Sequence, residues 1–348
     1  MRTHRETLIV NLLKSIESKD VEGFSAISQS QYRQHNLHVA DGRQGFLDFV
    51  FSMPDGMPKV STRRVFEDGE YVVAHSELVA DQTLAVFDIF KFDGERIVEH
   101  WDAAQPMLEP NPSGRTLLDG QEYIGDAGVS LADSKKVARA FVENVLMSGN
   151  LSVAEEYVGS EYLQHHPLVR DGLDGLREAF ADWMSSGVEV CYENIHFVLG
   201  KGDFVLVVTE GGFNGAPVAF YDMFRISKGK IVEHWDVVEE VPPKEQWQND
   251  NQLEAVDSLY KFATEIKDSH NFSALVDILN KDHSLVNVFA LFLTEHLKAQ
   301  LVLGMDFFNY QKAQSAISEF LYNSSHVLGL NLELAISQLA FTLRESQN

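Results

Sequence analysis

The chain repeats itself, and that duplication limits its architecture more tightly than any local propensity could. Tyr32, Gln34, His35, Asp41, Gly42 and Gly45 recur 130 positions later as Tyr162, Gln164, His165, Asp171, Gly172 and Gly175. Further on, Ile97-Val98-Glu99-His100-Trp101-Asp102 returns unchanged as Ile231-Val232-Glu233-His234-Trp235-Asp236, now displaced by 134 positions. The string Val86–Lys91 is echoed at the same offset by Phe220–Arg225, so an insertion of about four residues separates the two blocks. Each copy is large enough for a core of its own, which makes this a duplicated domain and not a solenoid of small repeats. At 348 residues the chain also exceeds what one core organises.

Within each copy the pattern runs from helix to strand. Leu8, Ile9, Leu12, Leu13 and Ile16 have helical spacing, as do Val137, Ala138, Phe141, Val142 and Val145 behind the expected cap Asp133. Phe46–Met53 and Leu176–Met184 predict a further helix in each copy. Strands are predicted over Lys59–Phe66, Tyr71–Val79, Leu84–Phe92 and Ile97–Ala103, with turns at Asp68-Gly69 and Asp93-Gly94. The expected class is therefore α+β: two tandem cone-shaped barrels, each a curved antiparallel sheet wrapped on helices, over 1–125 and 126–248. Gln105–Ser130, with three prolines, reads as the linker. Beyond Pro243 the chain has no proline and a three-to-four-residue apolar spacing, which predicts an all-α domain over 249–348 used for packing or oligomer contacts.

Composition narrows the function. Hydrophobic content of 45% excludes wholesale disorder. Fifty-two acidic against 28 basic side chains give a net charge of −24, which repels phosphate backbones and anionic lipid, so neither nucleic acid nor membrane is expected as a partner. One cysteine, Cys191, makes no internal disulfide. The first residues lack a leader pattern, and the apolar run Val288–Leu293 is far short of the ~20 residues of a membrane helix. A cytoplasmic address is expected.

Side chains alternate along a strand, so His100 and Asp102 share one face while Glu99 and Trp101 take the other. A three-residue turn at Ser227-Lys228-Gly229 would set Asp222 opposite His234, and the matching pairing would set Asp88 beside His100. A carboxylate on one imidazole nitrogen fixes the tautomer and raises the basicity of the other, as acid–base sites require. The same pair could equally be a strand hydrogen bond satisfying two half-buried groups. Gln34-His35-Asn36 supplies donors near the cone's rim that could polarise a carbonyl, and His75 completes the polar set, with Val208 at its aligned position in the second copy. No His-x-x-x-His or Cys-x-x-Cys spacing gathers metal ligands, so no metal is expected.

The strings Tyr32-Arg33-Gln34-His35-Asn36, Asp41-Gly42, Asp88-Ile89-Phe90 and Glu99-His100-Trp101-Asp102 with Gln105 resemble the SnoaL-like branch of the nuclear transport factor 2-like superfamily. Asn111–Thr116 and Pro242-Pro243 followed by Trp247 and Asn249–Asn251 resemble its two-domain members, so the likeness spans 1–251. It implies a pocket in each cone and cofactor-independent chemistry of the polyketide-cyclase kind, an intramolecular aldol condensation with an aspartate base; relatives on the fold are isomerases, dehydratases, epoxide hydrolases or non-catalytic binders. The strand reading and this resemblance together give the expected first-copy catalytic set, Asp102, Asp88, His100, His35 and His75. Tyr32, Gln34, Asn36, Phe90, Trp101 and Gln105 are expected to bind substrate, and Tyr162, His165, Asp222, His234 and Asp236 to form the second pocket. Leu37 stands where the family has proline, while the second copy puts His166 for the asparagine and Glu239 for the glutamine, so the first copy is expected to be the closer match and the catalytic one. The expected function is a small-molecule lyase or isomerase. The alternative is a non-enzymatic binding or scaffold protein whose two cones pair as an internal pseudo-dimer, with the tail able to add homo-oligomer contacts.

Overall fold

The computed structural model describes residues 2–251, so the helical domain expected over 249–348 lies outside the described residues except for its first three. Those three, Asn249–Asn251, dock on the rim of the first copy. Two five-stranded sheets make up the described part. The first copy has α1 (His4–Ser18), β1 (Arg33–Gln34), α2 (Gly42–Ser52), β2 (Lys59–Asp68), β3 (Tyr71–Val79), β4 (Thr83–Asp93) and β5 (Arg96–Pro106). The second has α3 (Leu131–Phe141), β6 (Val158–Gln164), α4 (Gly172–Ser185), β7 (Val190–Lys201), β8 (Phe204–Phe213), β9 (Ala216–Ser227) and β10 (Lys230–Glu240). Strand orders β1-β5-β4-β3-β2 and β6-β10-β9-β8-β7 are the same, with only β1 and β6 running parallel to their neighbours. The short β1 and β6 went unpredicted, because two to seven residues of mixed polarity carry no period.

Thr3 starts α1 with a capping box: its side chain accepts from the Glu6 N–H and Glu6 accepts from the Thr3 N–H at 2.8 Å. Ile9, Leu12 and Leu13 of α1 then join Phe24, Phe46, Val72 and Phe90 in the core of the first cone. In the second copy the helix begins at Ser130, whose hydroxyl accepts from the Asp133 N–H, so Asp133 is the third residue in and not the cap. Each sheet is apolar on both faces. The outer faces, with Val73, Phe87 and Ile89 in one copy and Leu206, Val208 and Met223 in the other, share a third core. The continuous run Val86-Phe87-Asp88-Ile89-Phe90 follows from this, since a strand covered on both sides has no solvent face to mark.

The hairpin register differs from the expected one. Lys228 and Gly229 both have positive φ, making a two-residue turn that pairs Ser227 with Lys230. A bulge between Ile231 and Glu233 then sets Asp236 opposite Asp222, and the equivalent irregularity sets Asp102 opposite Asp88. His100 faces Phe90 and reaches Asp88 diagonally.

Linkers cross between the copies. Asn111 donates to the carbonyls of Gln164 (2.6 Å) and Val169 (2.9 Å), while Asn249 donates to those of Asn36 and Val39 (both 2.7 Å). The segment after each copy is thus tied to the other copy's rim, and the two copies form one compact unit. No helix among the described residues is long and apolar enough to cross a membrane.

Candidate functional site

A cavity of about 80 Å³ opens into the first cone. Its polar wall is Gln34, Asn36, Ser76, Asp88, His100 and Asp102, and the rest is apolar, including Leu13, Val50 and Phe90. The elements explain this set: β4 and β5 present Asp88, His100 and Asp102 on the inner face, and β1 with the residue after next turns Gln34 and Asn36 the same way.

Asp88 is 5% exposed and its Oδ1 lies 3.1 Å from His100 Nε2. Burial pushes the Asp88 carboxyl above its ordinary range, against the pull of the His100 hydrogen bond and with a further push from the Asp102 charge. Burial disfavours the His100 imidazolium, yet the bond to Asp88 and the charges of Asp102 and Asp88 leave His100 raised. Asp102 is held on one side only: Oδ2 accepts from Asn36 Nδ2 at 2.9 Å, while Oδ1 is buried with no donor. Asp88, His100 and Asp102 bring one ligand atom each within 4.8 Å of one another, a gathering across two strands that no sequence spacing announces. A cation there would have to break the Asp88–His100 contact, because His100 Nδ1 already faces the Gln34 oxygen at 3.1 Å.

Five expected site residues lie elsewhere. His35 points to the opposite face from its neighbours Gln34 and Asn36, stacks on Trp101 at 4.4 Å, and bonds Glu99 (3.2 Å) and the Asn251 carbonyl (3.0 Å). Trp101 goes with it, out of the cone. His75 stacks on Phe87 at 4.0 Å in the core between the copies and accepts from Arg64 Nη1 at 3.1 Å. Burial and the Arg64 charge hold His75 well below the ordinary histidine value, so it is a neutral acceptor and not a proton carrier. Gln105 accepts from the Val238 N–H at 2.9 Å across the seam. Tyr32 stands behind the pocket wall, its hydroxyl accepting from Gln34 Nε2 at 3.2 Å.

In the second cone Tyr162, Asp222, His234 and Asp236 occupy the matching places, and His165, like His35, turns away from the cone: it stacks on Trp235 and bonds Glu233 at 3.0 Å. His166 takes the position of Asn36, 3.7 Å from Asp236. Asp222 has no exposure and burial pushes it up to about 7, while burial pulls His234 down to about 4. Tyr192 sits against these groups, its phenol raised by burial and by Asp222 and Asp236.

Sequence reasoning missed Arg64, which is 2% exposed and donates to the carbonyls of Leu118 (3.3 Å) and Gln121 (2.6 Å) and to that of Asp119. Its guanidinium lies 4.3 Å from the Trp235 ring centroid. The pair Arg64–His75 is replaced by Phe197–Val208 in the second copy, so the imbalance of histidines between copies serves their junction. Glu239 was also missed as a site group. A second cavity of about 100 Å³ lies between the copies, walled by Asn36 and Asp102 together with Tyr221 and Glu239.

Glu239 accepts from the Ala104 N–H at 3.3 Å, as Gln105 does from Val238, but burial and the Asp102 charge push its carboxyl up to about 8. Folding raises this group from 4.5, so the native state binds the extra proton between those values and loses stability as pH climbs from about 4.5 to about 8. Glu239→Gln keeps the acceptor and removes the charge. Chemical denaturation should show it about 1–3 kcal/mol more stable than wild type at pH 8 and above and equal to it at acid pH, after allowance for partial exposure; equal stability throughout would refute the assignment.

Residues 136–247 match the family described as SnoaL-like polyketide cyclase. The matched stretch runs from within α3 to just beyond β10 in the second copy, and the first copy repeats its strand order. The match falls on the second copy, whereas the residue strings favoured the first. No curated protein matches the chain. Solved structures similar to it include a candidate polyketide cyclase from Acidithiobacillus ferrooxidans, 15% identical, covering 32% of this chain and 91% of its own with a TM-score of 0.27. A candidate ketosteroid isomerase from Kribbella flavida is 17% identical over 34% of this chain and 88% of its own, TM-score 0.27. TsrD from Streptomyces laurentii is 22% identical over 32% and 90%, TM-score 0.26.

Proposed function

We propose that the first cone removes a proton from the carbon beside a carbonyl group of a small, flat substrate, as a lyase or isomerase of the SnoaL-like kind. The observation that carries this reading is the buried Asp102 Oδ1, an acceptor without a donor beside an apolar cavity. In the step itself the C–H bond breaks, its proton goes to Asp102, and its electron pair moves to the carbonyl oxygen as an enolate. Asn36 holds the base from behind through Oδ2. The proton retained by Asp88 and His100, both raised, meets the charge developing on oxygen. Apolar walls keep water from competing for the enolate, which collapses by reprotonation at another carbon or by attack on a second carbonyl of the same molecule. Hydrogen-to-deuterium exchange at the α-carbon of flat cyclic ketones, followed by NMR with the full chain, tests this. Saturable exchange is expected; exchange no faster than in buffer across such a panel would overturn it.

A further inference from the structure

The sequence places Gln34 among groups that touch substrate, but every polar atom of its side chain is already used. The side chain is 1% exposed. Its oxygen accepts from the Asn36 backbone N–H at 3.0 Å, and because a backbone N–H can only donate, that contact settles which end of the amide is oxygen. The amide nitrogen then donates to the Tyr32 hydroxyl at 3.2 Å. His100 Nδ1 lies 3.1 Å from the same oxygen, so Nδ1 must carry a hydrogen. On the far side of the ring Nε2 meets Asp88 Oδ1 at 3.1 Å, a contact that is attractive only if one hydrogen lies in it.

We infer that Gln34 is a positioning residue: by fixing the hydrogen of His100 on Nδ1, it obliges exactly one further proton to sit between His100 and Asp88. The second copy repeats the device. Gln164 accepts from the backbone N–H groups of His165 (2.9 Å) and His166 (3.0 Å), donates to Tyr162 (3.2 Å), and receives His234 Nδ1 at 3.0 Å, with Asp222 at 2.9 Å on Nε2. The His–Asp pair thus has no net charge. The titratable groups facing His100 are Asp88 from β4, Asp102 from β5 and Tyr32 ahead of β1, with Phe90 stacked on the ring at 4.4 Å. For turnover the inference rests on the proposed function; for proton placement it does not.

Its test is nitrogen NMR of isotope-labelled histidine in the full chain, which reports the hydrogen on each ring nitrogen without any substrate. His100 should show a protonated Nδ1 throughout about pH 5 to 9. Gln34→Leu, which removes the acceptor, should abolish that signature at His100 and leave the His234 signal in place. Gln34→Glu, which keeps an acceptor oxygen, should preserve it. In the exchange assay Gln34→Leu should lower the rate about ten- to a hundredfold and shift its pH profile, with Gln34→Glu largely rescuing both. A bare Nδ1 in the wild type, or an unchanged His100 signal in Gln34→Leu, overturns the inference. A preserved signature with no exchange activity in any variant would instead sink the functional reading alone.

Discussion

Replacing Asp102 with asparagine should slow α-proton exchange by about a thousandfold, within the range by which a positioned general base accelerates proton transfer. The substitution keeps the shape of the group and keeps an oxygen for Asn36 Nδ2, which now approaches Oδ2 at 2.9 Å. What it removes is the acceptor at Oδ1, the buried oxygen without a donor. Folding should survive, and thermal unfolding within a few degrees of wild type would confirm that. Asp88→Asn should cost less, about ten- to a hundredfold, because an amide can still donate to His100 Nε2 but can no longer exchange a proton with it. Since burial raises Asp88, and its hydrogen bond and neighbouring charges raise His100, the pair keeps its proton toward neutrality, and the wild-type rate should decline on the alkaline side as that proton is lost. NMR exchange rates across pH check all of this; Asp102→Asn and Asp88→Asn both matching wild type would eliminate proton abstraction in this cone.

Arg64→Met should be the most damaging single change to stability, at about 3–5 kcal/mol, because it leaves several buried acceptors unpaired at once. The carbonyls of Leu118, Asp119 and Gln121 and His75 Nδ1 all accept from this one guanidinium, and the Trp235 ring loses its cation. Burial lowers Arg64 only to about 10, so it stays charged at neutral pH, and the carbonyl dipoles are what solvate it there. A methionine of similar length fills the space but donates nothing. Adding His75→Val, which copies the apolar solution of Val208, should cost less than the sum of the two changes, because the histidine acceptor is stranded only in the single variant. Denaturant melts of the four proteins measure that cycle. A loss under about 0.5 kcal/mol for Arg64→Met would show that the linker does not depend on this contact.

Apart from β1 and β6, the strands and main helices of both copies were legible because their patterns are local: about 3.6 residues per helical turn, two per strand, and glycine or asparagine where φ turns positive. The Asp88–His100 contact was also within reach, although by the wrong register, since a diagonal pair two residues away lies close enough for a histidine to span. Strand alternation around Gln34 already implied that His35 and Asn36 face opposite ways, and taking His35 for a pocket residue ignored it. His75 is a different case. Alternation set it beside Val73 and away from Ala74, but nothing in the string says that Arg64 and the outer face of another sheet cover that side.

What the amino-acid order determined by itself was the duplication, the helix-then-sheet plan of each copy, and which side chains share a strand face, because all three follow from short-range sterics repeated along the chain. Tertiary structure alone decided the bulged register that sets Asp102 against Asp88, the docking of each linker on the other copy, and the burial of Glu239 beside Asp102. Those depend on contacts between residues from 14 to 210 positions apart, whose energies arise only once the sheets are assembled and exclude water between them.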